Sequence, residues 1–285
     1  MFQVIYKCFY IFEMEEIKIY KDTKTLDDYL FKREYKFTND KSNADCLLVG
    51  GKEINLSEYP NLKGIFKTGV GTDNLPFSEA KKRNIQICLP SMKTANFIYE
   101  ETATFTCHLI FKGLYQNIGD WEKWYKHPRK AIYNMNSLIL GKGRIGTKVF
   151  EKLKLFMNVD SYDILTDKPE SLESKINKAD VISIHVPLNS ETKGMINKEK
   201  LSWMKDNSLL VNTARAQIIN EVDLYQELKN KRIKCAIDVF WQEPYNGIML
   251  DVNQNNFLAT PHLASTCNEF LSSAEEDFFS FLGKL

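Results

Sequence analysis

The sequence predicts an α/β protein built on a doubly wound parallel sheet. Three observations lead there. Short β-rich runs alternate with helical patterns along most of the chain. Six strand candidates separated by crossover helices fall between residues 137 and 259. A glycine-rich turn, Gly141-Lys142-Gly143-Arg144-Ile145-Gly146, stands between an apolar run, SLIL, and an amphipathic stretch.

In the first third, strands are expected at Ile17–Tyr20, Cys46–Val49, Gly64–Thr68 and Ile85–Cys88, with helical stretches at Thr25–Lys32 and Ser78–Arg83. A long helix follows at Ala95–Phe111, and then an aromatic, basic stretch, GLYQNIGDWEKWYKHPRKAIYN, with no evident role. The middle is more regular: strands at Ser137–Leu140, Val159–Tyr162, Val181–Val186, Leu209–Thr213, Cys235–Phe240 and Phe257–Ala259. One intervening helix, Thr147–Phe156, puts Val149, Phe150, Leu153 and Phe156 on one face at helical spacing. A final helix is expected at Asn268–Leu282. The opening MFQVIYKCFYIFE lacks the basic start and small-residue cleavage site of a signal peptide. Met14 begins a segment, MEEIKIY, that reads as a first strand, so residues 1–13 read either as an upstream extension or as part of the fold.

The composition narrows the function classes. A chain of 285 residues accommodates two ordinary domains, and 44% hydrophobic with 26% charged residues is globular. Lys plus Arg is 38 and Asp plus Glu is 37, so the net charge of +1 gives no broad field for nucleic acid or an anionic membrane. No run approaches the ~18 apolar residues of a membrane span. Six cysteines (Cys8, Cys46, Cys88, Cys107, Cys235, Cys267) lie far apart, several inside apolar runs, which suits reduced core thiols in a cytoplasmic protein. His108, His127, His185 and His262 form no HxH or HxxxH pair, so no metal site is expected.

The glycine turn carries the first chemistry. Gly141 permits the tight turn, Gly143 lets backbone approach a pyrophosphate, and Gly146 lets the helix pack against the strand. The helix start then faces the phosphates with unpaired N–H groups and a positive dipole end. Asp163, at the end of the next strand, is placed to accept hydrogen bonds from adenosine ribose hydroxyls and would repel a 2′-phosphate. With no Arg following it, NAD is favoured over NADP.

Three further segments sit at strand ends, where open α/β sheets bind ligands: VNTARA with Arg215, DVFWQEP with Glu243 and TPHLAS with His262. Arg holds a carboxylate in two-pronged fashion. His is a proton donor that titrates near neutrality. A carboxylate orients the imidazole and favours its charged form. Taken singly, each residue is more often a surface, loop or structural group; in this order behind a nucleotide fold they read as a hydride-transfer site.

These segments resemble the D-isomer-specific 2-hydroxyacid dehydrogenase family from about Asn61 to Ser265, through KTGVGTDNL, ANFIYEET, LGKGRIG, SYD, HVPLNSETKGMIN, LLVNTAR, AIDVFWQEP and TPHLAS. The resemblance implies a Rossmann NAD-binding domain at 102–264, inserted into a discontinuous flavodoxin-like substrate domain, 1–101 completed by 265–285, with the active site in the cleft. It gives the catalytic roles to Arg215, Glu243 and His262, and substrate-carboxylate binding to the backbone of Val70 and Gly71. It puts Thr102, Arg144, Ile145, Asp163, Thr213 and Asp238 against NAD, Asp238 near the nicotinamide carboxamide. Pro187, Ala214 and Ser265 are expected to line the same pocket beside Arg215 and His262. His185 either lines it or caps a strand.

The expected reaction is hydride transfer between NAD(H) and a small D-2-hydroxy or 2-keto acid. Two alternatives stay open. One is 3-phosphoglycerate oxidation, since Lys67 beside the GVG loop could meet a phosphate or equally a simple carboxylate. The other is a non-catalytic NAD-sensing protein of the same fold. Family members usually carry Gly after the catalytic Arg; here Ala216 adds a Cβ that would shift the Arg if the backbone needed positive φ. The resemblance also implies a homodimer through the nucleotide-binding domain, with Trp121–Tyr125 as a candidate interface or, equally, a buried segment.

Overall fold

The structure, a computed structural model, describes residues 17–116 and 118–285. The expectations for residues 1–13 and Met14 lie outside them. The chain divides into two compact units: the first runs to Ile98 and is completed by Thr266–Leu285, and the second is Tyr99–Ser265. The boundary falls inside the helix Met92–Leu114.

In the first unit, strands β1 (Lys18–Asp22), β2 (Lys36–Phe37), β3 (Cys46–Val49), β4 (Gly64–Lys67) and β5 (Gln86–Cys88) form a parallel sheet in the order β2-β1-β3-β4-β5, a flavodoxin-type order. The two-residue period of a strand sorts its core. Cys46 and Leu48 of β3 join a cluster with Phe66, Phe278 and Phe281. Leu47 and Val49 join the opposite cluster with Ile65, Leu56 and Leu75. Both faces are covered, which is why β3 reads as an unbroken apolar run. The helix Asn268–Leu282 covers the first face, its buried Glu275 accepting Nε–H of Arg33 (2.8 Å) and the Tyr35 hydroxyl (2.5 Å).

In the second unit, a short antiparallel pair, β6 (Gly119–Asp120) and β7 (Tyr125–Lys126), precedes the main sheet. That sheet comprises β8 (Asn136–Leu140), β9 (Asn158–Tyr162), β10 (Val181–Ile184), β11 (Leu209–Asn212), β12 (Lys234–Ile237) and β13 (Phe257–Ala259). All pairings are parallel and the order is β13-β12-β11-β10-β8-β9. The order reverses around β8, the point where such sheets open a crevice at the carboxyl ends of their strands. Side chains again divide by parity: Leu138 and Leu140 face one cluster, Ile139 the other.

Two expectations need correction, and one feature was not foreseen. The helix after the glycine turn is Arg144–Leu153, so Phe156 falls beyond its end, 52% exposed and edge-on to Phe111 at 5.2 Å. Only Val149 and Leu153 of the expected face are fully buried. Strands expected to reach Val186, Thr213 and Phe240 stop at Ile184, Asn212 and Ile237, because the residues beyond turn into loops at the crevice. The two-residue strands were not foreseen, being too short to show alternation.

Candidate active site

The glycine turn follows β8 directly. Gly141 has φ +99, and a Cβ there would lie 2.7 Å from the His185 carbonyl oxygen. A Cβ on Gly146 would meet the Gly141 carbonyl oxygen at 2.0 Å. Gly143 is different: a Cβ would meet nothing within 4 Å. Two glycines therefore close the turn against backbone, and the third leaves open space beside the start of the helix Arg144–Leu153. That is a cradle suited to a pyrophosphate, whose charge the exposed helix N–H groups would meet. Arg144 donates to the Tyr99 hydroxyl at 2.6 Å, and Ile145 packs against the core beneath.

Asp163 follows β9. Its Oδ2 accepts the Lys142 backbone N–H at 2.7 Å, which ties it to the glycine turn, and its Oδ1 accepts from Leu165 N at 3.0 Å. His185 lies behind the turn, its Nε2 paired with the Ser183 hydroxyl at 2.8 Å. Desolvation pushes it down to about 3, so the imidazole is neutral. Pro187 is exposed, its carbonyl accepting from Thr192 Oγ1 at 2.6 Å.

The segment after β11 is shaped by a residue that the sequence did not single out. Asn212, fully buried, accepts the Ala214 N–H (2.9 Å) and donates Nδ2–H to the Arg215 carbonyl (2.8 Å). Arg215 is extended, with φ −145, and its Nη1 donates to the Ala214 carbonyl at 2.8 Å. Ala216 begins a short 3-10 turn with no positive φ, so its Cβ imposes no strain and the concern raised by the missing glycine does not arise. Thr213 is anchored through its hydroxyl to Thr106 Oγ1 at 2.8 Å, and Thr106 in turn donates to the Thr102 carbonyl at 2.7 Å. Thr102 and Thr213 are both buried.

Asp238, Glu243 and His262 converge. Asp238 is fully buried and gathers the turn after β13: Oδ1 accepts the Thr260 hydroxyl (2.6 Å) and Leu263 N (3.0 Å), and Oδ2 accepts Ala264 N (2.8 Å). Burial pushes its carboxyl above the usual range even against these three donors. The turn folded around it carries His262 at φ +53, a sparsely populated conformation for a residue with a side chain. His262 Nδ1 is 2.8 Å from Glu243 Oε2, and Glu243 Oε1 accepts from Phe240 N at 3.0 Å. Burial works to raise the Glu243 carboxyl, but the hydrogen bond and charge of His262, the Phe240 amide and the Arg215 charge together hold it below the usual range. Ser265 follows at the end of the unit, half-buried.

The remaining expected residues belong to the first unit. Val70 and Gly71 lie in the loop after β4, partly exposed. Lys67 is only 3% exposed, and its ammonium donates to the Gly50 carbonyl and to Asn74 Oδ1 (2.8 Å). That engagement braces two loops and disfavours Lys67 as a phosphate receptor. Tyr99, Thr106, Asn212 and Thr260 were missed; Tyr99, Asn212 and Thr260 had a signal in their place inside ANFIYEET, VNTARA and TPHLAS, and Thr106 had none. Among the described residues no group of His, Cys, Asp and Glu could hold a metal ion, and no helix is long and apolar enough to cross a membrane.

Comparison with known proteins fits this geometry. The profile of the D-isomer specific 2-hydroxyacid dehydrogenase, NAD binding domain, matches residues 110–264. Glycerate dehydrogenase from Methylorubrum extorquens is 32% identical over 232 residues, which cover 75% of this chain and 73% of that one. D-3-phosphoglycerate dehydrogenase from Bacillus subtilis is 31% identical over 244 residues, 79% of this chain but 46% of the relative, so the chain spans about half of that protein's length. Among solved structures, D-lactate dehydrogenase from Aquifex aeolicus, complexed with NAD and lactic acid, superposes with a TM-score of 0.77 at 23% identity, covering 93% of each chain. With a nicotinamide-dinucleotide cradle after β8, a paired His262 and Glu243 after β12 and β13, and a profile match over more than half its length, the chain belongs to the D-isomer specific 2-hydroxyacid dehydrogenase family.

Proposed function

We propose that this protein is an NAD-dependent oxidoreductase that transfers a hydride between NAD(H) and a small D-2-hydroxy acid or the matching 2-keto acid. The observation that carries the reading is the His262–Glu243 pair at 2.8 Å, held on a turn that leaves the same sheet as the glycine cradle. His262 Nε2 gives a proton to the carbonyl oxygen in reduction and takes it back in oxidation. Glu243 fixes the tautomer through Nδ1 and favours the imidazolium. Arg215 holds the substrate carboxylate and polarises the carbonyl. The backbone of Val70 and Gly71, in the loop after β4, is the second group this reading assigns to substrate-carboxylate binding. The nicotinamide, when bound, supplies or accepts the hydride.

In this reading Gly141, Gly143, Arg144, Ile145 and Gly146 receive the pyrophosphate, and Asp163 receives the ribose hydroxyls, which favours NAD over NADP. Thr102, Thr213, Ala214, Pro187, Asp238 and Ser265 line the cofactor site, with His185 supporting the turn from behind. The chain works in the cytoplasm as a homodimer through the nucleotide-binding unit; Trp121, Trp124 and Tyr125, respectively 81%, 79% and 56% exposed, offer the aromatic surface for it.

The test is NADH oxidation by the purified chain against glyoxylate, hydroxypyruvate, pyruvate and phosphohydroxypyruvate. Turnover with one or more of the unphosphorylated acids is expected. No turnover with any of them, in the presence of tight NADH binding, would favour the sensing alternative. A strong preference for phosphohydroxypyruvate would favour 3-phosphoglycerate oxidation, which the engaged Lys67 ammonium argues against.

A further inference from the structure

We infer that Asp167 is a second cofactor-specificity residue: it keeps the Lys142 ammonium from serving a 2′-phosphate and fixes Asp163 in the position that rejects one. The inference rests on the dinucleotide reading of the glycine turn and deepens it. After β9 the chain makes a tight turn in which the Asp163 carbonyl accepts from Thr166 N (3.0 Å) and Asp167 N (2.8 Å). The turn brings the Asp167 carboxylate back over the start of the loop. Its Oδ2 accepts the Asp163 backbone N–H at 2.8 Å, the Lys142 ammonium at 3.3 Å and the Thr166 hydroxyl at 3.3 Å. The Asp163 amide, with the Lys142 ammonium, holds the Asp167 carboxyl below its usual range.

Lys142 is thus divided between two carboxylates. Its backbone N–H belongs to Asp163 and its side chain to Asp167, although that side chain is 44% exposed. Two carboxylates and one ammonium meet at this corner, Asp163 on the Lys142 backbone N–H and Asp167 on its side chain, so the corner carries an excess negative charge where the adenosine ribose of a dinucleotide would lie. A 2′-phosphate needs a free cation there. The cation in place is already engaged, and releasing it would leave Asp167 uncompensated. Asp163 is the expected repelling group; Asp167 removes the lysine that would otherwise offset it.

If Asp167 only closed the turn, its loss would lower stability without changing which dinucleotide binds. Asp167→Asn separates these roles, since its Oδ1 can still accept the Asp163 N–H while the charge on Lys142 is released. The measurement is fluorescence titration of the full chain with NADH and NADPH, alongside thermal melts. NADPH affinity should rise about three- to fivefold, the scale of one exposed ion pair, with NADH affinity held within about twofold. Adding Lys142→Ala to Asp167→Asn should abolish the gain, whereas Lys142→Ala alone, which leaves Asp167 uncompensated, should give no gain in NADPH affinity and lower it if anything. The inference is overturned if native protein binds NADH and Asp167→Asn leaves the NADPH affinity where it was, or raises it equally without Lys142. A native chain that binds neither dinucleotide would instead bring down the reading of the cradle, and this inference with it.

Discussion

The segment that leaves β12 carries two carboxylates, Asp238 and Glu243, which face the same turn and are shifted in opposite directions. Asp238 is fully buried, takes three hydrogen bonds from the 260–264 turn and has its carboxyl pushed up by desolvation. Glu243 has a side chain 39% exposed, meets His262 Nδ1 and is held down by its partners in spite of partial burial. The first sets the path of the backbone that presents the imidazole; the second acts on the imidazole itself. Substitution at Asp238 should therefore be read in stability, and substitution at Glu243 in the pH dependence of the rate.

The largest effect belongs to the group both serve. His262→Ala should lower keto-acid reduction by ~10²–10⁴, the usual contribution of a positioned acid, and leave NADH binding intact. Steady-state kinetics on the best substrate, with a cofactor titration, checks this; near-native turnover would remove the proton-transfer role. Asp238→Asn should come next. An amide can accept on one oxygen only, and its NH₂ would face a backbone N–H, so one buried donor loses its partner at a cost of about 1–3 kcal/mol. The melting temperature should fall by several degrees. An unchanged melt combined with a loss of turnover as deep as that of His262→Ala would break the distinction between the two carboxylates.

What the sequence made legible was local, and what it hid was assembled from afar. The glycine turn could be read because its constraints lie within a few residues: Gly141 needs positive φ, and Gly146 needs room beside the Gly141 carbonyl. Strands such as Cys46–Val49 could be read because both faces are buried and every position is apolar. By contrast, the left-handed backbone of His262 follows from hydrogen bonds to Asp238 across more than twenty residues of chain, which no spacing rule announces. The role of Asn212 is hidden in the same way, since an Asn after an apolar strand reads as a turn residue until its two bonds are seen. Lys67 was placed in the right loop, but the direction of its ammonium depends on Gly50 and Asn74, which the sequence does not bring together. Phe156 was misplaced because apolar spacing continues past the point where Leu153 ends the helix.

The smallest effect is the sharpest probe. In reduction the donor must be protonated, so the rate falls toward alkaline pH. Glu243→Gln keeps the hydrogen-bond acceptor and removes the charge that favours the imidazolium, so this alkaline limb should move to lower pH by ~0.5–1 unit. Stability should follow a different pH axis. Because the Glu243 carboxyl is held below its usual value in the fold, its stabilising contribution is whole above the ordinary carboxylate range and is lost as pH falls through the depressed value. The gap in melting temperature between native protein and Glu243→Gln should therefore be constant near neutrality and close on acidification. Rate profiles and melts recorded on the same two proteins test both statements. An alkaline limb that stays in place in the variant would mean that Glu243, like Asp238, only shapes the loop, and the contrast between the two carboxylates would collapse.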